Sequence, residues 1–140
     1  MKNHLILVTT ALFLILLSCH KDKGVAVPEI YNTWEVKSFV TTDSTPYPKD
    51  PNNQIMLFFD QKGTYSLTLD VNHCGGNLTV SDNNQIQISA PGCTEICCDS
   101  AFSEKLAAEL SAVKSYSITG QTLHLIVPQW GYIACELVIR

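Results

Sequence analysis

The chain has 140 residues, of which 46% are hydrophobic and 16% charged, with six cysteines and a net charge of −4. That length fits one domain able to bury a true core. The acidic balance and the absence of a basic cluster exclude nucleic acid as an expected partner, and equally exclude electrostatic attachment to anionic lipid.

Lys2 precedes an apolar run from Leu5 to Leu17 that ends in the small residue Ser18. This is the pattern of a secretory signal. At roughly 13 residues the run falls short of the ~20 needed to span a bilayer. Leu16-Leu17-Ser18-Cys19 resembles the bacterial lipobox, which implies cleavage before Cys19 and acylation of that cysteine with palmitate-type chains. Each buried CH₂ contributes about 0.8 kcal/mol, so two or three chains hold a domain firmly on a membrane. Residues 1–18 are therefore read as a lipoprotein signal peptide, 19–29 as anchor and tether, and 30–140 as the domain. The tether is polar, with Gly24 and Pro28, and carries His20 and the pair Lys21-Asp22. That pair partly resembles the charged export signal of some Bacteroidota surface lipoproteins. The expected address is the bacterial outer membrane, on its periplasmic face or at the cell surface.

Residues 33–40 alternate as a strand, with Trp34, Val36, Ser38 and Val40 expected on one face. Residues 41–53 contain three prolines and no apolar period, so they read as an exposed loop. A continuous apolar strand over 54–60 and an alternating one over 63–70, with Tyr65, Leu67 and Leu69 inward, flank the Asp60-Gln61-Lys62-Gly63 hairpin turn. Two short strands follow, 77–80 (Leu78, Val80 inward) and 84–89 (Ile86, Ile88 inward). Asp99 is the expected N-cap of an amphipathic helix over 100–113, with Phe102, Leu106, Leu110 and Val113 on its apolar stripe. A hairpin of strands 115–119 and 122–127 turns at Gly120-Gln121, and a last strand, 132–139, points Ile133, Cys135, Leu137 and Ile139 inward. The sum is a mostly β (α+β) chain: an antiparallel meander of about seven strands forming a partly open β-barrel, with one helix packed on it.

This order of elements resembles the META-domain family of HslJ-like envelope lipoproteins, in a Cys-rich variant associated with Bacteroidota. The residues that carry the resemblance are Trp34, Phe58, Gly63, the turn Asn72-His73-Cys74-Gly75, Thr94 and Cys98 before the helix, and Tyr116, Gly120, Leu123 and Leu125 in the hairpin. The chain departs from the family's Gly-Cys-Asn turn with Asp70-Val71-Asn72, its cysteine lying at position 74, and Cys93 and Cys97 are additions. The resemblance implies a cracked antiparallel barrel with a packed helix and no catalysis. It also favours a bridge from Cys74 to Cys98, which staples the turn to the helix start.

With Cys19 acylated, Cys74, Cys93, Cys97, Cys98 and Cys135 remain in an oxidising compartment, an odd number that leaves one unpaired. Cys135, inward on a strand, is the natural remainder. Beside the Cys74–Cys98 bridge, Cys93 joins Cys97; exchanging Cys97 and Cys98 stays open, and a bond between these neighbours is disfavoured by its strained eight-membered ring. Soft ligands at His73, Cys74, Cys93, Cys97 and Cys98 suggest zinc or copper(I). No paired Cys-x-x-Cys framework supports a metal or a redox centre, so disulfides are the preferred reading and no metal or cofactor is expected. No catalytic template is present, and His20 and His124 read as solvated. Asp43-Ser44-Thr45 resembles the O-glycosylation motif of Bacteroidota, which makes Ser44 the glycosylation candidate; Asp99-Ser100-Ala101 matches the same motif. The expected function is a non-catalytic, membrane-anchored envelope module that binds a protein or maintains the envelope. The alternative is a lipocalin-like carrier of a small apolar ligand lined by Trp34, Tyr65 and Trp130.

Overall fold

The structure is a computed structural model that describes residues 29–139. The signal peptide, Cys19, His20 and the tether up to position 28 lie outside the described residues. The strands are β1 (Thr33–Thr41), β2 (Met56–Asp60), β3 (Thr64–Thr68), β4 (His73–Ser81), β5 (Gln85–Ile88), β6 (Gly92–Cys93), β7 (Ser115–Thr119), β8 (Thr122–Val127) and β9 (Gly131–Leu137). The helix α1 (Ala101–Leu110) lies between β6 and β7. Neighbours pair in the order β3-β2-β1-β9-β8-β7-β5-β4-β6, and a further β3–β4 pairing closes the sheet into a ring. All of its ladders are antiparallel.

Alternation puts one set of side chains from each strand inside the ring. Leu57 and Phe59 from β2, Tyr65 and Leu67 from β3, Leu123 and Leu125 from β8, and Ile133 and Cys135 from β9 are all buried. Each large apolar side chain of this kind contributes about 1.5–3 kcal/mol by leaving water. Trp34 is buried with them, and its Nε1–H donates to the Ile30 carbonyl at 2.9 Å. The 60–63 turn forms as expected: Gly63 has φ +83° and its N–H donates to Asp60 O at 3.1 Å.

Ile139, expected inward, is 70% exposed beyond the end of β9, and three further local features differ from the pattern read in the sequence. The β1–β9 register shifts between Val36 and Ser38. This bulge reverses the phase of the strand, so Phe39 packs against the core while Ser38 and Val40 are exposed. β4 begins at His73, earlier than expected, because Tyr65 pairs with Gly76 across the β3–β4 ladder. The Tyr65 hydroxyl donates to Ser89 O at 2.9 Å. A Cβ on Gly76 would meet Ser89 Oγ and lie 2.7 Å from the Tyr65 ring. The glycine is thus a docking surface inside a strand. Third, α1 is capped by Ser100 and not by Asp99: the Ser100 side chain accepts from Ser103 N, and Asp99 turns to other partners described below.

α1 closes the ring at the end where β1 finishes. Phe102 stacks on Phe39 with centroids 4.3 Å apart, and Ser103 Oγ donates to Asp70, just past β3, at 2.7 Å. Glu29 and Ile30, where the tether joins, precede the other end of β1, and Glu29 lies beside the 81–84 turn. Glu29 and the helix therefore lie at opposite ends of the ring.

Replacing Gly76 by Ala is expected to lower stability by about 1–3 kcal/mol in urea denaturation, through overpacking against Tyr65. Gly92→Ala, whose Cβ would meet only Gly75 O at 3.9 Å, is expected to stay within about 0.5 kcal/mol of the parent.

Candidate functional site

At the helix end, two polar side chains beyond β3 organise everything from β6 to α1. Asp70 Oδ2 accepts from Ser100 N at 2.9 Å, from Ser103 Oγ at 2.7 Å and from Ser100 Oγ, while Oδ1 accepts from Asn53 Nδ2 at 2.7 Å. A carboxylate at the first turn of a helix is also favoured by the helix dipole. Burial raises the pKa of Asp70, and the hydrogen bonds from Ser100, Ser103 and Asn53 outweigh it, holding the carboxyl below its ordinary range.

Asn72 is only 7% exposed and uses its whole hydrogen-bonding capacity. Its Nδ2 donates to Ile96 O and to Asp99 Oδ2, both at 2.7 Å. Its Oδ1 accepts from Thr94 Oγ1 at 2.7 Å and Ile96 N at 2.8 Å. Asp99 Oδ1 accepts in return from Val71 N at 2.9 Å and Asn72 N at 3.3 Å. Residues 94–99 are thereby fixed on the β3–β4 connection. In the sequence Asp70-Val71-Asn72 reads as a departure from a family turn and Asn72 also as the start of the Asn72-His73-Cys74-Gly75 turn; Asp and Asn there signal a turn, and nothing local signals partners some thirty positions downstream.

The disulfides correct the expected pairing. Cys74 is bonded to Cys93 and Cys97 to Cys98, not Cys74 to Cys98 and Cys93 to Cys97. The cause is β6, which the sequence did not suggest: it pairs with β4 so that Cys93 lies directly opposite Cys74, with Cα atoms 4.0 Å apart. Cys74 is buried, 6% exposed, whereas Cys97 and Cys98 are exposed. Closing 19 residues, the Cys74–Cys93 bridge stabilises by roughly 3 kcal/mol. Cys135 is the free, buried cysteine among the described residues, and burial pushes its thiol pKa up.

A second cluster pins the proline-rich loop to the helix. Phe39 meets Tyr47 edge-on at 5.6 Å and Trp130 at 5.4 Å. Lys105 Nζ lies 5.5 Å from the Tyr47 centroid and 5.4 Å from that of Trp130, in cation–π range. The same nitrogen donates to Glu109 at 2.6 Å, and that bond raises the Lys105 pKa. Trp34 and Tyr65 belong to the core, so the three residues considered as carrier lining divide between core and helix-end cluster.

The remaining candidates lie apart. Ser44 is exposed in the loop, with φ +58°, beside an Asp43 carboxylate that accepts from Thr45 N at 3.0 Å. His73 is exposed next to Thr68, 3.3 Å from its hydroxyl, and His124 packs on Tyr132 with centroids 4.3 Å apart. Among the described residues no group of three or more His, Cys, Asp or Glu is placed to hold a metal.

Because the folded pKa of Asp70 lies below its unfolded value, the unfolded chain binds more protons in acid. Its contribution is complete above the unfolded carboxylate pKa of about 3.9 and fades as pH falls through the lower folded value. Asp70→Asn is expected to destabilise by roughly 1–3 kcal/mol at pH 7, from lost charged hydrogen bonds. The difference from the parent should shrink in urea melts as pH falls below the unfolded carboxylate pKa of about 3.9; a difference constant with pH would refute this role.

Comparison with characterised proteins by sequence finds no significant match. Among solved structures, a DUF4847 family protein from Bacteroides vulgatus superposes with a TM-score of 0.60 at 15% identity, covering 81% of this chain and 96% of that one. An NMR structure of a protein from Burkholderia xenovorans gives a TM-score of 0.61 at 16% identity, covering 86% and 98%. At these identities the likeness is one of fold. The sequence model of the META domain matches residues 28–129, which takes in the Asp70–Asn72 cluster, the second cluster except Trp130, and most of the ring, and the chain belongs to the META domain family.

Proposed function

We propose that this chain is a non-catalytic, lipid-anchored module of the bacterial envelope, held at the outer membrane, that binds a protein through the helix end of the ring. The observation that carries the reading is the asymmetry of the two ends. The tether joins at Glu29, and Cys19 is ten residues before it, a span of at most about 35 Å. The opposite end presents Ile96, 55% exposed, and Val71, 38% exposed, on a loop held rigid by Asn72 and Asp99. Exposed apolar side chains on a fixed frame suit recognition of a protein surface. The interior favours this over carriage of a small ligand, since Trp34, Leu57, Phe59, Leu123 and Leu125 are at most 1% exposed and packed on one another. The acyl chains on Cys19 supply the membrane contact, and Ser44, exposed on the loop, is offered as the glycan acceptor.

Native mass spectrometry of the protein extracted from its bacterial membrane tests these statements together. The expected species begins at an acylated Cys19 and carries a stoichiometric protein, which is lost in the Val71→Asp/Ile96→Asp variant. Cys19→Ser is expected to release the protein from the membrane fraction, and Ser44→Ala to remove one glycan mass. A bound small molecule in place of a protein would overturn the reading in favour of a carrier.

A further inference from the structure

We propose that the Cys97–Cys98 bridge is a thiol–disulfide exchange site, reduced by a dithiol partner of the envelope and reformed by the disulfide form of such a partner, which is reduced in turn, while Cys74–Cys93 stays intact. The inference does not depend on the binding role of the helix end.

The two bridges differ in what they do for the fold. Cys74–Cys93 closes 19 residues and ties β6 to β4. Cys97–Cys98 joins neighbours, with a sequence separation of 1, so it closes no loop whose entropy would stabilise the folded state. A bridge that contributes little to stability can open without unfolding the chain. They differ also in access: both Cys97 and Cys98 are exposed, whereas in the other bridge only Cys93 is exposed and its partner Cys74 lies against the core. Exposed disulfides are the labile ones, because exchange requires a thiolate to reach a sulfur.

Two further observations fit a bridge built to open. Cys98 has φ +99°, a conformation that side chains other than glycine rarely adopt and that is found at sites held by their surroundings. The frame around the pair does not pass through either sulfur. Asn72 holds Thr94, Ile96 and Asp99, and Asp70 holds Ser100. Opening the bridge therefore frees the short piece from Cys97 to Cys98 and leaves its flanks in place. The Cys135 thiol, buried and raised in pKa, takes no part.

The chemistry balances with a dithiol as reductant. One thiolate of the partner attacks either sulfur, forming a mixed disulfide and releasing the other cysteine as a thiolate, which takes up a proton. The partner's second thiol then displaces the remaining cysteine. The partner ends as a disulfide, and two electrons and two protons have passed to Cys97 and Cys98.

Graded reduction of the native, full-length protein with dithiothreitol, followed by alkylation and peptide mapping, tests the proposal. Without reductant no described cysteine should be labelled. Cys97 and Cys98 should then be labelled together at a dithiothreitol concentration at least ten-fold below that which exposes Cys74 and Cys93. Amide NMR shifts should move for residues 94–99 and stay fixed in the strands. The reduced protein should take up one equivalent of phenylarsine oxide, two thiols and the oxide giving a dithioarsinite and one water, and oxidised dithiothreitol should restore the original map. Labelling of Cys97 or Cys98 before reduction, their recovery in bridges to Cys74 or Cys93, or concurrent reduction of both pairs would each overturn it.

Discussion

The hydrogen bonds that Asp70 and Asn72 make across the mouth of the ring are the constraint on which the rest of the fold depends. The helix must start where it does because Asp70 receives the N–H and hydroxyl of Ser100 together with the hydroxyl of Ser103. At its other end the chain passes through Val113 to Lys114, whose N–H donates to Ile126 O at 3.0 Å. β7 then meets β5 in a short ladder, the Gln85–Ser115 register with two flanking bonds, Ile86 N to Lys114 O and Tyr116 N to Asn84 O. That seam is the thinnest in the ring. It is fixed less by its own hydrogen bonds than by the helix, which arrives at Lys114 from a start set by Asp70.

A lock made of polar groups is also a specific one. Every donor and acceptor of the Asn72 amide is matched, so a displaced loop would leave several of them unpaired in a site sheltered from water, a penalty of 1–3 kcal/mol for each group. Apolar contacts tolerate sliding; this arrangement does not. The loop of residues 94–99 thus has one position, even though Ile96, Cys97 and Cys98 face solvent.

Legibility in the sequence followed the range of the forces involved. The hairpin of β7 and β8 was readable to the residue, because alternation and a two-residue turn at Gly120-Gln121 are local. The apolar stripe of α1, the inward face of β3, and the burial of Cys135 were readable for the same reason. The bulge between Val36 and Ser38 was not, since it answers to the register of β9, nearly a hundred positions away. The early part of β4 hid behind Gly75 and Gly76, which look like a turn until Tyr65 is seen to rest on Gly76. β6 is two residues long and exists through its pairing with β4; without it the cysteine connectivity had no geometric basis, and the pairing drawn from resemblance put Cys98 where Cys93 belongs.

That correction changes how the four cysteines divide their work. Had Cys74 reached Cys98, a covalent tie would have joined the β3–β4 connection to the helix start, duplicating the contact Asp70 and Asn72 already make. With Cys74 bonded to Cys93, the covalent tie instead secures β6, the shortest strand, while the helix start is held without a covalent tie, by hydrogen bonds and the Phe102–Phe39 stack. Cys97 and Cys98 are left without any structural tie that only they can supply. A rigid frame of side-chain hydrogen bonds beside a bridge that the fold does not need places two exposed sulfurs at a defined point on the end of the ring opposite Glu29.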